Sequence, residues 1–153
     1  MKRLLSIAGV LMCIVFLLAG CGTYSSKGIT YSIGSEGNIS VNIDSSDKYD
    51  IKNDSNEKST FNVYKGDEKL STGLFVGTET YEKYCGYVKS DSKSKIIKTS
   101  ENDDIEYLFY TYDNSEFNYI IKIKNSSVGI ILGNNHSQDE AEEVFKRLSF
   151  KVE

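Results

Sequence analysis

The sequence predicts an α+β fold in which one helix in the middle of the chain and one near its end pack on an antiparallel sheet. First, short runs of alternating apolar and polar residues recur along the chain, separated by turn residues, as in antiparallel strands. Second, the apolar period becomes helical in Glu79–Lys89 and again after Ser137. Third, the last strand-like runs are joined by turns such as Asn125-Ser126, which are short enough to indicate hairpins.

The N-terminal segment is typical of a secretory signal. Lys2 and Arg3 precede an apolar run, Leu4–Ala19, which is shorter than the roughly 20 residues that a membrane-spanning helix needs. The run ends in Leu18-Ala19-Gly20-Cys21, which resembles the lipobox of bacterial lipoproteins. The resemblance implies cleavage before Cys21 and attachment of a diacylglyceryl group to its thiol. An ordinary secreted protein, in which Cys21 has no such role, is the alternative.

The chain therefore divides into three parts. Residues 1–20 are the predicted signal peptide, and residues 21–28 form a lipidated Cys21 with a short polar tether. Residues 29–153 form a single domain on the extracytoplasmic side of the cell membrane. Palmitate is a typical acyl group of such an anchor. Two acyl chains hold a protein durably at one leaflet, whereas a single chain holds it only marginally.

Charge and cysteine content exclude two classes of protein. Loss of Lys2 and Arg3 with the signal lowers the 18 basic residues to 16, against 22 acidic ones. No basic stripe remains to neutralise phosphates, so nucleic acid is not an expected partner. Cys13 leaves with the signal and Cys21 carries lipid, so Cys85 remains alone and an intramolecular disulfide is excluded.

The first half of the domain contains four runs that predict strands. Ile29–Ile33 and Asn38–Ile43 alternate around a glycine-bearing turn and predict a hairpin. Thr60–Tyr64 and Thr72–Gly77 predict two further strands. Between the two pairs, residues 44–59 are strongly polar and predict a solvated loop; calcium binding there is the alternative, although the glycine and terminal glutamate of a calcium loop are missing.

The middle of the chain predicts a helix over Glu79–Lys89, with Thr78 as its N-cap. Four residues at helical spacing form its apolar face: Tyr81, Tyr84, Cys85 and Val88.

The second half predicts an antiparallel sheet closed by a helix. Alternation in its third strand places one face on helices and leaves the other at least partly wet. Ser137 and Glu140 form a capping box for the last helix, and Phe150 and Val152 predict a short closing strand. The four predicted strands are Lys95–Thr99, Ile105–Tyr112, Phe117–Lys124 and Ser127–Gly133.

Catalytic candidates are few. His136 is the only histidine in the sequence. To form a catalytic dyad it would have to lie next to Cys85, and the Cys85 thiol would have to be exposed and have a lowered pKa. Glu101, Asp103 and Asp104 cluster in a turn, where carboxylates are usually solvated and lack the apolar neighbours that raise a pKa. We therefore predict no enzyme, cofactor or metal site; a small cell-envelope hydrolase is one alternative.

The chain has 11 tyrosines and no tryptophan. Tyr110 and Tyr112 face away from Tyr107 and Phe109 along their strand, and we predict that they form an exposed binding surface.

The order of strand, helix, meander and capped helix over residues 60–153, ending in Phe145–Phe150, resembles PsbP-like domains. The resemblance implies a small α/β/α sandwich and no residue role. We expect a non-catalytic binding or accessory module that contacts an envelope protein complex or a cell-wall polymer. An envelope structural protein without a ligand pocket is the other alternative.

Overall fold

The structure is a computed structural model that describes residues 25–33, 37–134 and 137–153. The predicted signal peptide, the lipobox with Cys21, and His136 lie outside these residues. The described elements are β1 (Ser26–Ser32), β2 (Asn38–Asp44), β3 (Tyr49–Asn53), β4 (Thr60–Lys65), β5 (Glu68–Gly77), α1 (Thr78–Ser90), β6 (Ser94–Glu101), β7 (Ile105–Tyr112), β8 (Glu116–Ile123), β9 (Val128–Asn134), α2 (Gln138–Arg147) and β10 (Leu148–Val152).

The strands form two antiparallel sheets. The smaller has the order β1-β2-β10, and the larger has the order β3-β4-β5-β9-β8-β7-β6. The predicted hairpin pairs Ile29 with Val41, and the predicted closing strand pairs Phe150 with the same Val41 from the other side. Together with the two helices, this arrangement confirms the predicted α+β class.

The two faces of the seven-stranded sheet are covered by different layers. α2 and the three-stranded sheet cover the face of Phe109 and Ile121, and all of them share one hydrophobic cluster with Val41 and Val144. α1 covers the opposite face, where Ile120 packs with neighbours from β7. The prediction of a partly wet face is confirmed at Asn118 and Lys122, which are half-buried, although a 13-residue helix crosses the same face over Ile120.

α1 begins at Thr78, after Gly77 in extended conformation. The predicted N-cap was therefore one residue late, and no side chain in the described part of the chain caps this end of the helix. Within the described ranges, neither α1 nor α2 is long and apolar enough to cross a membrane.

The stretch predicted as a solvated loop contains β3, whose Tyr49 and Ile51 are buried and pair with β4. A short 3-10 turn, Ser46–Lys48, precedes it. Two apolar residues alternating with polar ones were too weak a signal to predict a strand, so that part of the prediction was wrong.

Arg147, at the end of α2, fastens this turn. Its guanidinium donates to Asp47 and to Glu143 at 2.8 and 2.7 Å, and it lies 4.1 Å from the ring centroid of Tyr49. Burial disfavours the charge, but the hydrogen bonds to these carboxylates overcome it and raise the pKa of Arg147. At the other end of α2, Ser137 accepts a hydrogen bond from the Glu140 N–H at 3.3 Å, as its predicted capping role requires.

Candidate functional site

Exposed apolar side chains are concentrated beside one edge of the larger sheet. Of the large apolar residues that the structure describes, five are exposed, and four of these lie on α1 and on β6, the strand next to it. We call these four the α1–β6 surface: Tyr84, Tyr87, Ile96 and Ile97, which are 39%, 66%, 41% and 36% exposed.

The two tyrosines come from the flank of α1. Tyr81 and Val88 turn inward onto the sheet, which leaves Tyr84 and Tyr87 one turn apart at the side of the helix. Their rings meet edge to face, with centroids 6.5 Å apart. The pair therefore presents two phenol rings to solvent next to the edge strand.

Tyr110 was predicted to be exposed, and this was wrong. It is only 9% exposed, because α1 crosses this face of β7. Burial, together with the nearby Tyr84 and Glu116, raises the pKa of Tyr110. Tyr112 is half-buried, with Lys93 Nζ 5.8 Å from its ring centroid. A role of either residue in binding stays a prediction.

Among the described strands, β6 is at the end of the larger sheet and pairs only with β7. Ile96 lies opposite Tyr110 and Lys98 lies opposite Phe109, so Ile97 forms a bulge between two regular pairs. Directly opposed residues of an antiparallel pair share a face of the sheet. Ile96 therefore lies on the α1 face, and Lys98 lies on the α2 face.

A cleft of about 650 Å³ lies between α1 and the strands β6 and β7. Cys85 and Tyr81 line it, and Glu82, Lys89 and Glu106 are among its charged residues. Burial raises the pKa of the Cys85 thiol, against the effect of its contact with Tyr81. A thiol held neutral in this way lacks the activation that nucleophilic catalysis needs.

The structure gives no distance for the hypothetical dyad of Cys85 and His136, since His136 lies outside the described residues. Ser137, the next residue, leads into α2 on the face of the sheet opposite to α1.

A second cleft, of about 640 Å³, lies beside α2 on the other face. Its floor is a stack of three aromatic rings. The ring centroid of Tyr119 lies 4.1 Å from that of Phe145 and 4.2 Å from that of Phe109, and the rings are nearly parallel. Ile97 and Lys98 form its rim at β6. The two clefts therefore flank β6 on its two faces.

Two of the carboxylates considered for catalysis or calcium, Glu101 and Asp54, form local hydrogen bonds. Lys124 donates to Glu101 at 2.8 Å and lowers the pKa of that carboxyl. Asp54, in the stretch 44–59, accepts from the Asn56 N–H and from Asn62 Nδ2, and these bonds lower its pKa. Among the residues that the structure describes, no group of three or more His, Cys, Asp or Glu is placed to hold a metal ion.

Comparisons with known proteins show a likeness in structure. No protein-family model matches the chain, and no curated protein matches it either. The solution structure of cyanobacterial PsbP (CyanoP) from Synechocystis sp. PCC 6803 is similar to it, with 12% sequence identity and a TM-score of 0.43, over 88% of this chain and 96% of that chain. The likeness agrees with the PsbP-like resemblance of residues 60–153, and at this TM-score it carries no argument about function.

The beginning of the described chain lies at the other edge of the larger sheet. Ser45 donates its backbone N–H to the Ser25 carbonyl at 2.8 Å, and Lys27 Nζ lies 3.0 Å from Asp50 Oδ1 in β3. β3 and β6 are the two ends of the strand order, six strand spacings apart. At about 4.8 Å per spacing, roughly 29 Å separates the two edges.

The exposed tyrosines of α1 were not singled out by the sequence analysis. Tyr87 lies off the apolar stripe of α1, on the side where an amphipathic helix normally carries polar residues. An aromatic residue at such a position was the available signal for the exposed site. Ile97 carried no comparable signal, because the bulge that displaces it depends on the pairing with β7.

Proposed function

We propose that the chain is a lipoprotein anchored at the extracytoplasmic face of the cell membrane through Cys21, and that residues 29–153 act as a non-catalytic binding module. The module docks a protein partner through the α1–β6 surface. The observation that carries this proposal is the concentration of four of the five exposed large apolar residues of the described chain at one sheet edge. Contiguous apolar patches mark interaction sites, and tyrosine is enriched in interface cores.

The position of the proposed anchor supports a protein partner over the lipid surface. Ser25 is four positions after Cys21, and an extended chain of four residue steps spans at most about 14 Å. The bilayer therefore lies close to the β1–β3 side of the module. The α1–β6 surface lies at the opposite edge, about 29 Å across the sheet, where it faces proteins that extend from the same membrane.

A non-catalytic role is supported by the state of the candidate groups. The Cys85 thiol has a raised pKa, and the Glu101 carboxylate is paired with Lys124. A general acid or a nucleophile requires the opposite shifts, upward for a carboxyl and downward for a thiol.

Docking is tested by photo-crosslinking in living cells. A photoreactive phenylalanine analogue replaces Tyr87 in the full-length chain; the matched control carries it in place of Tyr64, a half-buried tyrosine of β4 near the opposite edge. We expect a discrete adduct from position 87 that is absent from position 64 and disappears when Ile96→Ser is added. No adduct at position 87, or equal adducts at both positions, would contradict the proposal.

The anchor is tested separately by Cys21→Ser, with Cys13→Ser as the control. We expect only the Cys21 variant to leave the membrane fraction or to retain its signal. Normal membrane partition of a processed Cys21→Ser protein would show that the lipid is not the anchor.

A further inference from the structure

We propose that the partner docks by adding an extended strand to the free edge of β6, and that apolar and acidic residues alternate along this added strand. The inference rests on the proposed function and specifies the chemistry of the partner. Three features of β6 support it: an unpaired edge, two faces of different chemistry and an excess of positive charge.

The edge of β6 is long and uncovered. The strand has eight residues, and in the described part of the chain no backbone hydrogen bond joins the edge facing away from β7 to another segment between Lys95 and Glu101. The opposite end of the sheet differs, because β3 is flanked by β1 and β2. An unpaired row of N–H and C=O groups is a template for an incoming strand.

The two faces of this edge select different side chains. On the α1 face, Ile96 is exposed and lies opposite Tyr110, and the helix that covers this face carries the exposed Tyr84 and Tyr87. On the α2 face, Lys95 lies opposite Thr111 and Lys98 opposite Phe109, so both ammonium groups belong to that side. Successive residues of an added strand point to opposite faces, so its apolar residues cover Ile96 while its carboxylates meet the lysines.

The local charge favours an acidic partner. The protein as a whole has a formal net charge of −4, whereas residues 89–98 contain four lysines and one acidic residue, Asp91. Neither Lys95 nor Lys98 forms an ion pair with another described residue. A second copy of β6 supplies no carboxylate between Ser94 and Ser100, which favours a different protein as the occupant.

The lysines and the bulge also limit unspecific pairing. Natural sheets protect exposed edges with lysines and bulges, which repel strands of the wrong charge or register. In β6 the lysines and the bulge occur together with two exposed isoleucines. Protection of the edge does not require exposed apolar residues. A strand that neutralises the lysines and covers Ile96 is admitted, and others are rejected.

The test uses a labelled, end-capped peptide of sequence Gly-Glu-Val-Glu-Ile-Glu-Val-Gly and the full chain in detergent micelles, with binding read as fluorescence anisotropy. A second peptide carries lysine in place of each glutamate. We expect saturable binding of the glutamate peptide and at least about tenfold weaker binding of the lysine peptide. The variant Lys95→Glu/Lys98→Glu should reverse this preference. The control Lys58→Glu/Lys151→Glu, which changes exposed lysines outside β6, should not.

Backbone pairing is tested with two N-methylated forms of the glutamate peptide, methylated at alternate sets of residues. Only every second N–H of an added strand points toward β6, so one form should bind like the parent and the other at least about tenfold more weakly. Equal effects of both forms overturn the strand addition. No binding of the glutamate peptide at about 1 mM, or equal binding of the lysine peptide, overturns it too.

These outcomes separate the two proposals. If the crosslink at position 87 forms while the peptide results are negative, docking stands and strand addition is wrong. If the crosslink is also absent, the proposed function itself fails.

Discussion

The two faces of the seven-stranded sheet differ in how completely they are covered. Among the described residues, 22 buried apolar side chains form the cluster under α2 and the small sheet, whereas five form the cluster under α1. Ile120 and Ile121 are neighbours in β8 and are both fully buried, but they belong to different clusters. The same strand therefore contributes to a large hydrophobic cluster on one side and to a small one on the other.

The layers that cover the two faces also differ in how firmly they are held. The α2 face has two layers over it, and its helix is fastened by Arg147 to the turn before β3. The α1 face has a single helix, no side-chain N-cap and two exposed tyrosines on its flank. The surface that we propose for docking thus lies on the less tightly held layer, where adjustment to a partner costs less.

The largest expected effect comes from truncating the two isoleucines of β8. Ile121→Ala should lower the free energy of unfolding by about 4 kcal/mol, since the rigid core around it leaves a cavity. Ile120→Ala should cost about 2–3 kcal/mol, because α1 can settle toward the sheet. Urea unfolding at neutral pH measures both. An equal or larger loss for Ile120→Ala would contradict the comparison of the two faces.

Arg147→Met tests the fastening of α2. The substitution keeps an apolar stem but removes the bonds to Asp47 and Glu143, and we expect a loss of about 1–2 kcal/mol after allowing for the exposure of the acidic partners. Lys146→Met, at an exposed neighbouring position, should change stability little. If the two variants unfold at the same urea concentration, the fastening contributes nothing.

Gly86→Ala should stabilise α1, the helix that covers the smaller cluster. A Cβ atom at this position of α1 meets no atom within 4 Å. Alanine is the better helix former, so the free energy of unfolding should rise by about 1 kcal/mol. Gly129→Ala is the contrasting variant, since its Cβ would lie 3.1 Å from the Cβ of Tyr81 and push α1 away. Amide hydrogen exchange in α1 should slow in the first variant and accelerate in the second; a uniform response would disagree with this account.

The smallest effect is confined to alkaline pH. Burial, strengthened by contact with Cys85, raises the pKa of Tyr81 above its ordinary value of 10.0, and burial raises the pKa of Cys85 above 9.0. The unfolded chain ionises these groups first, so the folded state binds more protons and loses stability as the pH rises above about 9. Tyr81→Phe should reduce the loss between neutral pH and about pH 10.5 in urea unfolding. An unchanged loss would assign it to other groups.

Local patterns predicted much of the fold. Ile105–Tyr112 has the predicted bounds because alternation and turns act within a few residues. The capping of α2 by Ser137 is local in the same sense. β3 was missed because its two buried residues are too few to indicate a strand until the pairing with β4 is known. The pairing of β10 with β2 connects segments more than a hundred residues apart, and no local pattern specifies it.

The candidate site illustrates the same limit. Alternation placed Tyr110 and Phe109 on opposite faces, as the structure has them. Whether a face is open depends on where a helix crosses it, which is decided by packing. The exposed residues therefore came from α1 itself, at Tyr84 and Tyr87, and from a bulge at Ile97 that only strand pairing creates.

The pairing of β2 between β1 and β10 also sets an order of events in folding. β1 and β2 are close in the chain, but Ser40 of β2 contacts Glu153 across a separation of 113 residues. Distant pairings form late, after local hairpins, because the loop between them must close first. The three-stranded sheet therefore stays incomplete until β10, the last described strand, has paired with β2.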